Sequence, residues 1–126
     1  MSQCSNLYRV VIVDDEPEFR EWLRSLLDTS ETFRLIGEAV NGSEAIRLID
    51  ELKPDLVIAD VFMPDIDGLE IVQYIHQKYP AMKLVLTSAC SDRAYSKMAK
   101  KEGALCFIPK VEFSLDSLCR VYREQA

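Results

Sequence analysis

Five short apolar runs alternate with segments whose apolar residues recur at helical spacing, and this alternation constrains the fold more than any other feature. The runs cover residues 8–13, 33–39, 56–59, 83–87 and 105–108. The segment after the first run places on one helical face Phe19, Trp22, Leu23, Leu26 and Leu27. Similar spacing follows each of the other runs. The chain is therefore predicted to contain five strand–helix units.

The strand candidates indicate a parallel sheet with helices on both faces, because their apolar residues are continuous rather than alternating. The first, third and fourth runs are the most uniformly apolar and are expected at the centre. The second, FRLIGEA, is more mixed and suits an edge. This pattern favours an α/β, flavodoxin-like (βα)5 doubly wound fold, with a five-stranded parallel sheet in the order 2-1-3-4-5. Ligands of such folds gather where strands 1 and 3 end.

Length and composition indicate one domain. The chain has 126 residues, 48% of them hydrophobic, and we assign residues 1–126 to a single core. We see neither a signal-peptide pattern nor a membrane-spanning stretch, so we expect a cytoplasmic protein with no membrane partner. The net charge of −6 disfavours direct binding of nucleic acid and favours divalent cations or basic proteins. The cysteines lack metal-binding spacing and are expected to be free thiols.

Acidic residues follow two strands that should be neighbours. The first strand runs into VVIVDDEP, with Asp14, Asp15 and Glu16, and the third ends at Asp60. Carboxylates brought this close raise one another's pKa unless a cation compensates. A hard divalent ion, Mg²⁺ or Mn²⁺, is the compensation that oxygen ligands favour. The simpler alternative is that Asp14 and Asp15 only complement the dipole of the following helix.

Hydroxyl and ammonium groups end the fourth and fifth strands. KLVLTSA provides Thr87 and Ser88, and CFIPK provides Lys110. Beside a metal-bound carboxylate, such groups can hold the oxygens of a phosphoryl group, and an aspartate can attack phosphorus to form an acyl phosphate. Taken singly, Ser88 could be a turn residue and Lys110 an exposed lysine. Together with the acids they predict a phosphoryl-transfer site.

The chain resembles the receiver domain of two-component response regulators over essentially its whole length. The matching stretches are VDDEP with Asp14 and Asp15, DVFMPDIDG with Asp60, Met63, Pro64 and Gly68, LTSA with Ser88, the Gly103–Ala104 pair, and IPK with Lys110. Each stretch alone is a weak signal, but their order and spacing together are specific.

The resemblance implies a role for each site residue. Asp60 would accept a phosphoryl group from a phosphohistidine of a sensor histidine kinase, assisted by Lys110. Asp15 and Asp60 would bind Mg²⁺ or Mn²⁺ directly, with the backbone carbonyl of Phe62, and Asp14 would act through water. The domain would not be an enzyme, beyond assisting its own phosphorylation and dephosphorylation.

The resemblance also implies a switch. Counting back from Lys110 by the family's usual spacing selects Ser88 as the switch hydroxyl, with Thr87 pointing away, and the switch aromatic falls on Phe107. Phe107 could equally be a plain core residue. Two positions that tune dephosphorylation in the family are Phe62 and Cys90. Neither is an acid or amide that could orient water, so we expect slow self-dephosphorylation.

The output of the switch is open at this point. The short spacing between Asp60 and Ser88, and VEFSLDSL after Lys110, resemble receivers of LuxR- and NarL-type transcription factors. The chain would then be the N-terminal part of a regulator that contacts DNA only through a helix-turn-helix output domain, with a homodimer possible on phosphorylation. The alternatives are a stand-alone receiver or a pseudo-receiver that binds partners without phosphorylation. A flavin site is disfavoured because VDDEP would repel a phosphate, and a hydrolase would need an acid at Phe62.

The remaining polar residues have structural interpretations. Asp65 is expected to be an exposed loop acid, Asp67 the cap of the third helix, and His76 a surface residue. N-caps are expected for the fourth and fifth helices at Asp92 and Ser114. The face formed by the fourth helix, fifth strand and fifth helix, where family members signal, carries Tyr95, Met98 and Tyr122, although core packing is the simpler assignment for each.

Overall fold

The protein consists of five consecutive β–α units, as the sequence predicts. The computed structural model describes residues 7–89 and 93–125. The strands are β1 Tyr8–Val13, β2 Phe33–Ala39, β3 Leu56–Asp60, β4 Lys83–Ser88 and β5 Cys106–Pro109. The helices are α1 Pro17–Asp28, α2 Gly42–Leu52, α3 Gly68–Lys78, α4 Arg93–Glu102 and α5 Leu115–Gln125, with a short 3₁₀ turn at Lys110–Glu112.

The five strands form one parallel sheet in the order β2-β1-β3-β4-β5, which confirms the predicted fold class and topology. Every residue of β3 is buried, whereas β2, at one edge, has a mixed burial pattern. This difference follows from position, because helices cover both faces of a central strand. Strands β1 and β3, adjacent in the sheet, therefore end side by side.

Each face of the sheet carries its own hydrophobic core. Alternate residues of one strand point to opposite faces, so Val57 and Ala59 join the core beneath α2, α3 and α4. Leu56 and Ile58 join the core beneath α1 and α5. Burying one such aliphatic side chain is worth about 1.5–3 kcal/mol. The two cores together hold the strand ends in a fixed arrangement at the carboxyl edge.

Two predicted helix caps are confirmed. Asp67 accepts a hydrogen bond from the Glu70 backbone N–H at 2.9 Å and forms a full capping box with that residue at the start of α3. Ser114 accepts one from the Ser117 N–H at 3.0 Å at the start of α5. The cap expected at Asp92 lies outside the described residues. His76 is exposed on α3, as expected.

Asp65 is exposed, but it is more than a loop acid. Its φ is +60°, and its carboxylate accepts hydrogen bonds from the Gly42 N–H at 3.0 Å and the Ser43 hydroxyl at 2.6 Å. These bonds, the one from Ser43 above all, lower the pKa of Asp65. The side chain thus ties the loop after β3 to the N-terminus of α2, where a negative charge is favourable.

No helix within residues 7–89 and 93–125 is long and apolar enough to cross a membrane.

Candidate functional site

The carboxyl edge of the sheet collects the polar side chains that the rest of the core excludes. Among the described residues, four polar or charged side chains are buried, and all four lie at this edge: Asp14, Asp60, Thr87 and Ser88. Buried polar groups are costly unless they are paired. Their concentration where β1, β3 and β4 end marks this edge as the candidate site.

Three aspartates converge there, as the strand order requires. Asp14, Asp15 and Asp60 each offer a carboxylate oxygen within 4.8 Å of the others. Asp14 is only 2% exposed and Asp60 only 7%, while Asp15 is exposed. Burial raises the pKa of Asp14, and the charge of Asp60 raises it further, against the lowering effect of its bonds with Lys110 and Glu16. This set of hard oxygen donors fits a divalent cation such as Mg²⁺.

Lys110 reaches back from the end of β5 into the acid cluster. Its Nζ lies 2.9 Å from Asp14 Oδ2, 2.9 Å from Glu16 Oε1 and 3.1 Å from Asp60 Oδ2. It also lies 4.5 Å from the centroid of the Phe19 ring, a cation–π contact. Burial by itself would lower the pKa of Lys110, but the bonds with Asp14 and Glu16 outweigh burial and raise it. The lysine is therefore charged and held directly beside Asp60.

Backbone contacts fix the two buried aspartates. Asp14 Oδ1 accepts a hydrogen bond from the Glu16 N–H at 2.8 Å, and Asp60 Oδ1 accepts one from the Phe62 N–H at 3.0 Å. Phe62 itself is 54% exposed in the loop after β3. The loop thus brings Phe62 next to Asp60, and the metal-ligand role of its carbonyl stays a prediction.

The two candidate hydroxyls leave β4 on opposite faces. Thr87 is paired with Asp60 in the sheet. Its side chain points to the same face as Val85, which belongs to the core under α1 and α5. Its Oγ1 is buried and has no hydrogen-bond partner among the described residues. Ser88 points to the opposite face, the same face as Leu86, which belongs to the core that also contains Phe107. The predicted switch pair therefore shares one face of the sheet, while the switch roles remain predictions.

A chain of aromatic contacts runs from the acceptor loop to β5. The rings of Phe62 and Tyr95 are 5.5 Å apart and nearly perpendicular, and those of Tyr95 and Phe107 are 5.9 Å apart. Tyr95 is half-buried and packs against the core, as does the 9% exposed Phe107. Cys90, the second predicted dephosphorylation-tuning residue, lies outside the described residues.

Sequence reasoning missed two contacts of the site, those of Glu16 and Phe19 with Lys110. VDDEP places Glu16 beside the acid pair, and Phe19 lies in the first turn of α1. In the fold, the start of α1 lies against the segment after β5, where Phe19 contacts Phe113, and this brings both residues to the lysine. The feature of the sequence that could have indicated these contacts is Lys110 itself, because an ammonium group held in a mostly buried site needs more than one interaction partner.

Comparison with known proteins agrees with this geometry. The chain is 42% identical to the transcriptional regulatory protein YdfI of Bacillus subtilis over 84 residues, 67% of this chain and 39% of that protein. It is 38% identical to the chemotaxis protein CheY of Listeria monocytogenes over 104 residues, 82% of this chain and 87% of that protein. The chain thus spans well under half the length of the matched Bacillus subtilis regulator.

A solved structure shows the same similarity. The signal receiver domain of the response regulator NarL from Mycobacterium tuberculosis superposes with a TM-score of 0.81 at 30% identity, covering 93% of this chain and 98% of that one. Residues 10–123 match the model of the response regulator receiver domain. With the acid cluster, the lysine and the strand order in place, the chain belongs to the receiver domains of two-component response regulators.

Proposed function

We propose that the protein is a phosphorylation-activated switch and that Asp60 is its phosphoacceptor. A carboxylate oxygen of Asp60 would attack the phosphorus of a phosphohistidine on a sensor histidine kinase. The new O–P bond gives an acyl phosphate, and the broken N–P bond returns its electron pair to the histidine. The position of Lys110 Nζ, 3.1 Å from Asp60 Oδ2, carries this proposal, because an ammonium there can neutralise charge on the transferring group.

The acid cluster would hold the divalent ion that this chemistry needs. Asp15 and Asp60 would bind Mg²⁺, or Mn²⁺, directly, together with the Phe62 carbonyl, and Asp14 would act through water. When bound, the ion offsets negative charge on the phosphoryl oxygens. The convergence of the three carboxylates within 4.8 Å supports this assignment.

Ser88 and Phe107 would couple the phosphoryl group to an output surface. The hydroxyl would move towards phosphorylated Asp60, and Phe107 would repack in the space that it leaves. The similarity to YdfI, a transcriptional regulatory protein, supports a transcriptional output. In this proposal the protein would form a homodimer on phosphorylation and would contact DNA only through a helix-turn-helix domain. Residues 1–126 would then form a single receiver domain at the N-terminus of such a regulator.

Self-dephosphorylation of this switch is proposed to be slow. Phe62, two residues after the acceptor, is an exposed aromatic rather than an acid or amide, and its ring packs on Tyr95. It therefore has no group with which to orient a hydrolytic water. Loss of the phosphoryl group within seconds, with Mg²⁺ present and no phosphatase, would contradict this proposal.

The test of the acceptor is phosphorylation by a small donor. The protein is incubated with Mg²⁺ and acetyl phosphate, and its intact mass is measured. Wild type should gain one phosphoryl group, and Asp60→Asn should gain none. Asp65→Asn and Asp67→Asn are matched controls in the same loop, and both should be modified like wild type.

One outcome would replace the proposal. A wild-type protein that takes no phosphoryl group and binds no beryllofluoride under these conditions would indicate a pseudo-receiver that works by protein interaction alone. A stand-alone receiver would be indicated instead if phosphorylation occurs but no output domain follows in the full coding sequence.

A further inference from the structure

Glu16 occupies the N-cap position of α1 but does not cap the helix. Its backbone is extended, with φ −92° and ψ 109°, and its side chain makes no cap hydrogen bond. The carboxylate instead accepts a hydrogen bond from Lys110 Nζ at 2.9 Å. An acidic side chain at a helix N-terminus has favourable backbone donors within reach. Here it is directed to the lysine of the phosphorylation site.

Lys110 is surrounded by carboxylates in this arrangement, and Nζ donates a hydrogen bond to Glu16. An ammonium carries three N–H groups, and three carboxylates, those of Asp14, Glu16 and Asp60, surround Nζ at 2.9–3.1 Å. A phosphoryl oxygen on Asp60 would need one of these donors. One existing contact must therefore weaken before the lysine can bind the phosphoryl group fully.

Glu16 is the partner whose contact is easiest to give up. Its side chain is 50% exposed, compared with 3% for Asp14 and 9% for Asp60. Water can solvate a released Glu16 carboxylate, whereas a released Asp14 would stay buried and uncompensated. The exchange thus replaces an exposed carboxylate by a phosphoryl oxygen.

We propose that Glu16 is a positioning residue that competes with the phosphoryl group for Lys110 and so restrains phosphorylation of Asp60. This inference rests on the proposed function, since it concerns how the same site is regulated. Removing the Glu16 charge leaves Lys110 with its two buried partners and a free donor. Phosphorylation then becomes faster, and analogues of the phosphoryl group bind more tightly.

The chain offers a matched control for charge. Glu18 is an exposed acid in the first turn of α1 that borders the same surface cleft as Glu16, Phe19 and Lys110. No ion pair links it to Lys110 among the described residues. Glu18→Gln removes the same charge from the same turn, so both variants change the general attraction of an anionic donor alike. Only Glu16→Gln alters the contact with the lysine.

The protein also has a built-in reporter. Trp22 is its one tryptophan, and its ring stacks on Phe19 at 5.7 Å. Phe19 in turn lies under Lys110 Nζ at 4.5 Å. A shift of the lysine towards a bound phosphoryl analogue should therefore change Trp22 fluorescence. The fluorescence can follow beryllofluoride binding, and intact mass can follow phosphorylation by acetyl phosphate.

The experiment compares Glu16→Gln, Glu16→Ala and Glu18→Gln in the presence of Mg²⁺. Because exposed ion pairs are weak, Glu16→Gln should be phosphorylated about threefold faster than Glu18→Gln and should bind beryllofluoride about threefold more tightly. Glu16→Ala, which removes the acceptor altogether, should match or exceed Glu16→Gln. Thermal unfolding checks that all three variants fold.

The outcomes separate the two proposals. If wild type is phosphorylated but Glu16→Gln is phosphorylated no faster than Glu18→Gln, the proposal that Glu16 competes for Lys110 is wrong. The assignment of Asp60 as phosphoacceptor then stands. If wild type neither takes a phosphoryl group nor binds beryllofluoride, both proposals are overturned.

Discussion

Asp14 and Asp50 are both aspartates with a lysine within 3.3 Å, but their surroundings are opposite. Asp50, on α2, accepts hydrogen bonds from the hydroxyls of Tyr74 at 2.7 Å and Tyr79 at 2.6 Å, and its Oδ1 lies 3.3 Å from Lys78 Nζ. Three donors thus serve one carboxylate. At the sheet edge the ratio is reversed, because three carboxylates share one lysine.

The pKa values of the two aspartates are shifted in opposite directions. The hydrogen bonds from Tyr79 and Tyr74 lower the pKa of Asp50, so its charged form is stabilised by folding. Burial raises the pKa of Asp14, so its charged form is disfavoured by folding. Hydrogen-bond donors in excess around a carboxylate stabilise its charged form and so stabilise the folded protein. A shortage of positive charge at a buried edge costs stability. Such a shortage is characteristic of functional sites that bind a cation or take part in phosphoryl transfer.

Replacement of Lys110 should have the largest effect on stability and on phosphorylation. Lys110→Met keeps the length of the side chain but leaves Asp14 and Asp60 without a cation. We expect the free energy of unfolding, measured with urea without divalent ions, to fall by about 3 kcal/mol. Phosphorylation by acetyl phosphate should slow by about 100-fold, as for loss of one charge-stabilising donor.

Lys78→Met is the matched control at the other cluster. Asp50 retains both tyrosine hydroxyls in Lys78→Met. The variant protein should therefore be phosphorylated at the wild-type rate and lose much less stability than Lys110→Met. Equal losses of stability in Lys78→Met and Lys110→Met would contradict the contrast between the clusters.

Neutralising Asp14 should give a smaller change of opposite sign. With a raised folded pKa, Asp14 makes stability fall as pH rises from the unfolded carboxyl pKa, about 3.9, through the folded value. Asp14→Asn removes that cost, so we expect a higher free energy of unfolding than that of wild type at pH 7 in a chelating buffer. The gain should shrink as pH falls towards 4, and urea unfolding at several pH values measures it. A less stable Asp14→Asn at pH 7 would show that the ion pair with Lys110 outweighs burial.

The sheet edge could be predicted from sequence because strand ends in a parallel sheet meet at one edge whatever the side chains do. That rule alone brings Asp14, Asp60 and Lys110 together. The contacts of Glu16 could not be predicted, because a helix-start acid usually caps its own helix. Nor could those of Asp50, because Tyr74 lies on α3 and Tyr79 at its C-cap, and both reach Asp50 only through α2–α3 packing.

Neutralising Asp50 should have the smallest effect and the opposite sign to Asp14→Asn. Asn keeps one acceptor oxygen but loses the charge that the tyrosine hydroxyls and Lys78 stabilise. Because the side chain is 36% exposed, solvent screening limits the expected loss to about 1 kcal/mol at pH 7. With a lowered folded pKa, this contribution is present above the unfolded carboxyl pKa and is lost as pH falls through the folded value.

Wild type and Asp50→Asn should therefore converge in acid, and urea unfolding at several pH values tests this. The control is Glu51→Gln, which removes a charge from the next residue of α2, where the carboxylate is 59% exposed and pairs only with Arg47 among the described residues. That variant should differ little from wild type at any pH. If Asp50→Asn were as stable as Glu51→Gln at pH 7, the surplus of donors around Asp50 would contribute nothing to folding. The difference between the two clusters would then lie in the buried edge alone.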